Sequence, residues 1–119
     1  MPAADQAIVA KYAGEQVVNG RQAEVFADHY IAVHLRGIGK GMTYSQASAA
    51  SMAAPTDTAL AGEVQSLFRG ETLRGMLLNA YAFWQIGQIV LIASYVAYLA
   101  GILFLILTLL GFRHGRRQE

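Results

Sequence analysis

Hydrophobic positions in this 119-residue chain follow two regimes. Through residue 75 they recur at helical spacing among polar side chains. Over residues 76–112 there is no Asp, Glu, Lys or Arg at all. A helix that crosses a bilayer needs ~20 apolar residues, so this stretch predicts one membrane span. Two passes plus a turn exceed the length available, and Gly87 and Gly101 lack the turn partners a hairpin would need. The stretch divides in two. Residues 76–88 carry Asn79, Gln85 and Gln88 with Tyr81, Phe83 and Trp84, and read as an interfacial lead-in, because amphipathic rings favour the headgroup level. Residues 89–111, with Ser94, Thr108 and two Tyr as their polar side chains, read as the transmembrane helix. Residues 112–119 form a basic tail.

The first 75 residues predict a small extramembrane region of short helices. Residues 1–5 read as an unstructured lead and residues 7–12 as a short helical turn ended by Gly14. Asn19 can cap a helix over residues 21–36, with Gln22 three residues on. On it Phe26, Tyr30 and Val33 recur at i, i+4 and i+7. Gly37, Gly39 and Gly41 end it. Thr43 and Gln46 have capping-box spacing and open a helix over residues 44–54 that Pro55 stops. Thr56 or Asp57 caps another, on which Leu60, Val64, Leu67 and Phe68 form an apolar stripe. No strand pattern or repeat occurs. The expected fold is an all-α membrane protein, with short soluble helices followed by one long C-terminal transmembrane helix.

Charge and cysteine content narrow the function classes. The formal net charge is +1, and residues 1–75 hold nearly equal numbers of basic and acidic side chains. No basic patch of the kind a phosphate backbone requires is present, which argues against a nucleic-acid partner. The absence of cysteine excludes disulfides, thiolate metal sites and cysteine nucleophiles. A region of this size buries too little surface for an ordinary independent core, so it is expected to lean on the membrane or a partner. Arg113, Arg116 and Arg117 after the span favour a cytoplasmic C-terminus, with the N-terminal region outside the plasma membrane. Arg69 and Arg74 flank the other end, and no signal peptide is visible at the start. A tail-anchored arrangement would invert that orientation.

Candidate chemistry is sparse. Glu24, His29 and His34 stand five residues apart, whereas ligands sharing one helix face stand three or four apart. One regular helix cannot aim all three at one metal, so no metal, cofactor or catalytic residue is assigned. The run from Gly37 to Gly41 lacks the ending of a phosphate loop. Glu63, Arg69, Glu71 and Arg74 read as an exposed charged face. Asn79, Gln85 and Gln88 either hydrogen-bond to another helix or reach the headgroup layer. Ala93, Ala97 and Gly101 repeat every four residues, a spacing that lets another helix backbone approach closely. The opposite surface, including Leu91 and Leu105, would then face lipid.

The order Ala13-Gly14, Val18-Asn19-Gly20, Ala27-Asp28, His34, Gly41, Thr43-Tyr44 and Thr72-Leu73-Arg74-Gly75 ahead of a terminal span resembles a family of small actinobacterial membrane proteins, often labelled aromatic ring-opening dioxygenase-like. The resemblance implies two transmembrane helices enclosing an external loop. Met1 stands about where that loop begins, so the family's first span has no counterpart in this chain. Ring-opening iron chemistry needs clustered His and carboxylate ligands, which the spacing above does not supply. The expected function is a non-enzymatic accessory subunit of a larger integral-membrane complex, with a respiratory or oxidative assembly as one candidate host. The alternatives are a self-associating single-span protein and a haem- or metal-binding subunit.

Overall fold

The computed structural model describes residues 1–117, and among these every regular element is helical. Helix α1 spans Ala3–Val9 and tightens into a 3₁₀ turn at Ala10–Tyr12. Helix α2 (Gly20–Val25), a π turn (Phe26–Ile31) and helix α3 (Ala32–Ile38) follow one another without a loop. Helix α4 is Tyr44–Ala53 and helix α5 is Thr58–Gly115. The chain separates into two compact units, Met1–Trp84 and Gln85–Glu119.

In the first unit the helices begin and end where local chemistry directs. Helix starts at Ala3, earlier than residues 1–5 suggest, with Gln6 N–H donating to the Pro2 carbonyl at 3.0 Å. Proline preceding the first turn suits this, because its missing N–H would have no partner there. Asn19 caps α2 by accepting from Gln22 N–H at 2.9 Å. Thr43 and Gln46 form the full reciprocal capping box on α4. Asp57, rather than Thr56, caps α5 by accepting from Leu60 N–H at 3.0 Å. The α3–α4 connection is a tight turn in which Lys40 and Gly41 take positive φ of 52° and 86°.

The π turn corrects the predicted apolar face. Phe26 packs against the core and Val33 is partly buried, but Tyr30 is 38% exposed, and the fully buried positions include Ala23, Ala27, Ile31 and Leu35. These recur strictly every four residues. On a 3.6-residue helix each such step overshoots a turn by about 40°, and three would swing the face by about 120°. One wider i→i+5 turn absorbs part of that drift. The π turn thereby holds the four positions nearer to one face.

The core is small. Ile31, Leu35, Ala47 and Leu67 cluster, with Phe26, Met42, Val64 and Leu77 packed against them. Of the predicted α5 stripe, Leu67 and Val64 join this core, while Phe68 lies half-exposed with its ring 5.8 Å from that of Tyr44. Two glycines permit close approach: a Cβ at Gly70 would strike Leu35, and one at Gly20 would strike Trp84.

In the second unit no described residue is buried. α5 runs on through Gly87, Gly101 and Gly111 as unbroken helix. It is long and apolar enough to cross a membrane, and its apolar window buries nothing within the chain.

Candidate helix-packing site

Ala97 and Gly101 share a shallow groove of about 480 Å³ with Ser94, Tyr98, Ile102 and Leu105. The groove follows from side-chain volume: at Gly101 an added Cβ would meet open space, so the helix surface dips between Tyr98 and Leu105. Ala93 does not line it, and Leu105 sits on the groove side rather than on the opposite surface. Ser94, Gly101 and Thr108 stand seven residues apart, the recurrence of left-handed helix pairs. The hydroxyls of Ser94 and Thr108 donate to the carbonyls of Val90 and Phe104, each at 2.8 Å. Their polar groups are thus satisfied on their own helix, and what they present outward is small bulk. Tyr98, 75% exposed at the groove edge, carries a phenol hydroxyl that hydrocarbon cannot satisfy.

The interfacial residues have divergent placements. Asn79, Gln85 and Gln88 are exposed. Trp84 is half-buried; it underlies Gly20 and lies 6.2 Å from the Tyr81 ring. Its indole therefore packs within the first unit. Arg113, Arg116 and Arg117 are exposed beside Leu109 and Phe112.

Glu24, His29 and His34 do not converge. His29 Nδ1 lies 2.8 Å from Asp5 Oδ1, tying α1 to the π turn. His34 Nδ1 lies 2.7 Å from the Tyr30 carbonyl, and its ring tilts against the Tyr30 ring at 4.3 Å. Glu24 Oε2 is 3.5 Å from Arg21, within ion-pair range but without a hydrogen bond. Among the described residues no group of three or more His, Asp or Glu could hold a metal.

The charged face on α5 fastens tertiary structure. Arg74 donates from Nε and from a terminal nitrogen to Asp28 Oδ1 at 3.2 and 2.8 Å, and also pairs with Glu71 at 3.6 Å. The hydrogen bond to Asp28 raises the guanidinium above its ordinary value, against the opposing effect of burial. Lys40 Nζ donates to Glu63 at 2.6 Å; that bond, then the carboxylate's charge, raises the ammonium above its ordinary value. Sequence spacing gave no sign of the Asp5–His29 and Asp28–Arg74 pairs, whose partners lie far apart along the chain. Comparison with protein-family models, with curated proteins and with solved structures gives no match to this chain.

Proposed function

We propose that this chain is a non-catalytic accessory subunit of a larger integral-membrane complex, held there by the helix from Gln85 onward. The observation that carries the reading is an apolar helix that buries nothing within its own chain yet carries a groove at Ala97 and Gly101. Lipid would cover the bulky surface. A groove floored by glycine and alanine, with a phenol at its rim, suits a neighbouring helix backbone that can accept the Tyr98 proton. In this reading the N-terminal region is extracytoplasmic, and Arg113, Arg116 and Arg117 suit the cytoplasmic side. The resemblance to the small two-span actinobacterial proteins supports the same plasma-membrane setting.

The test is Ala97→Ile combined with Gly101→Ile. Membrane insertion should survive, because the span stays apolar, while co-purification with the host complex should weaken. Co-purification equal to the parent would assign this face to lipid and shift docking to Asn79, Gln85 and Gln88. The seven-residue recurrence of Ser94, Gly101 and Thr108 favours a second reading, a homodimer packed along the same seam. The mass of the detergent-solubilised assembly separates the two, since one contains foreign subunits and the other only this chain.

A further inference from the structure

Basic side chains after a span set orientation, and that role asks only for charge near the membrane end. It does not require the charges to share one side of the helix. Here they do. Leu109, Phe112, Arg113, Arg116 and Arg117 line one hollow of about 560 Å³ at the end of α5. Their spacing of i, i+3, i+4, i+7 and i+8 is that of a single helix face. Helical bonding carries the face to its end: Arg116 N–H donates to the Phe112 carbonyl at 3.2 Å, and Arg117 N–H to that of His114 at 3.1 Å. The face is graded along the helix, with two apolar side chains followed by three guanidinium groups.

The charges of this face have no acidic counterpart in the described part of their unit, which contains no Asp or Glu. In the first unit, by contrast, Arg74 and Lys40 sit on the carboxylates of Asp28 and Glu63. Arg113, Arg116 and Arg117 are exposed. A guanidinium presents a planar fork of donors that matches phosphate oxygens. The stem of a long side chain can lie along apolar surface while its head reaches the polar level.

We propose that this face seats an acidic phospholipid, with Arg113, Arg116 and Arg117 on the headgroup phosphate and the acyl chains along Leu109 and Phe112. The grading selects an amphiphile over a free anion. Charge alone would suit any phosphate, whereas Leu109 and Phe112 offer contact only to a ligand with a hydrocarbon end. Net charge selects among lipids, because a zwitterionic headgroup carries its own cation, which the arginines repel. The inference rests on insertion of the helix in a membrane and does not depend on a host complex.

The experiment uses the isotope-labelled full chain in a maltoside detergent, which is uncharged. Arginine Nε–H signals are followed by NMR while dihexanoylphosphatidylglycerol, dihexanoylphosphatidylcholine or glycerol phosphate is added. Phosphatidylglycerol should shift Arg113, Arg116 and Arg117 saturably and bind about tenfold or more tightly than either other compound, since basic side chains at the surface add in retaining an acidic headgroup. Raised salt should narrow the margin over phosphatidylcholine. Arg116→Gln with Arg117→Gln, read at Arg113, should remove it. Leu109→Ala with Phe112→Ala should narrow the margin over glycerol phosphate. Equal binding of the two lipids, or of glycerol phosphate, by the parent chain overturns the proposal. Flotation with purely phosphatidylcholine vesicles checks insertion by itself. A chain that floats but shows no headgroup preference overturns this proposal alone, and one that does not float overturns it together with the membrane reading.

Discussion

Leu67 and Leu99 lie on the same helix and face opposite circumstances. Leu67 is 2% exposed and central to the core of the first unit. Leu99 is 68% exposed, in a unit where no described residue is buried. In the first unit the chain supplies its own apolar surroundings, from α3, α4 and the start of α5. In the second it supplies none. An aqueous setting would leave a continuous apolar surface far beyond what soluble monomers expose, so the surroundings must come from lipid or another protein. One unit is specified by its internal contacts and the other by what lies outside the chain.

Paired substitutions sharpen that contrast. Leu67→Ala should destabilise the first unit by about 3 kcal/mol, through lost burial and the cavity left behind. For so small a core that is a large share of the total. Leu99→Ala should change fold stability by less than about 0.5 kcal/mol. Hydrogen exchange of α3 and α4 amides in detergent reads both; equal effects would break the comparison. Gly20→Ala forces a methyl group against Trp84 and should cost about 1–3 kcal/mol by overpacking, measured as a lowered Tm. The same change at Gly101 meets open space and should leave the first unit's Tm unchanged.

Smaller effects belong to the ion pairs. Asp28→Asn loosens the link between the π turn and Arg74. Both side chains are about one-third exposed (36% and 33%), so solvent screening limits the loss to about 0.5–1 kcal/mol. The smallest effect is at Lys40. Its folded-state pKa is raised above 10.5 by Glu63. A raised value means the contribution is fully present below the unfolded pKa and is lost as pH rises through the folded one. Melts of the parent and of Lys40→Met should therefore differ slightly at pH 7 and begin to converge only once the pH exceeds about 10.5.

The sequence was most legible where structure depends on neighbours along the chain. The caps at Asn19, Thr43 and Asp57, the stop at Pro55 and the long apolar helix all rest on local rules, and all appear. It was least legible where one anomaly resets the register. The π turn leaves no composition signal, yet the fully buried positions include Ala23, Ala27, Ile31 and Leu35, with Phe26 packed beside the core and Tyr30 left exposed. Trp84 shows a second kind of limit. Amphipathic character suits a membrane interface, but only the fold reveals that Gly20 sits against its ring. On the membrane helix the four-residue rule named Ala97 and Gly101, both of which line the groove, and Ala93, which does not. It missed Ser94 and misplaced Leu105, because the groove follows a seven-residue seam.

The central claim is that the helix after Gln85 lies in lipid with its Ala97–Gly101 side against protein. The chain has no cysteine, so single spin labels can be placed without background in native membrane. Labels at Tyr98 and Leu105, which already carry bulk beside the groove, leave Ala97 and Gly101 intact; Val96 and Leu103 serve as the comparison. At about 100° per residue, positions 98 and 105 share the groove side and 96 and 103 the other. Power-saturation measurements should find 96 and 103 open to oxygen and closed to a water-soluble nickel chelate, with 98 and 105 closed to both. Nickel access at 96 and 103 would contradict the membrane placement, and equal oxygen access at all four would contradict the docked face.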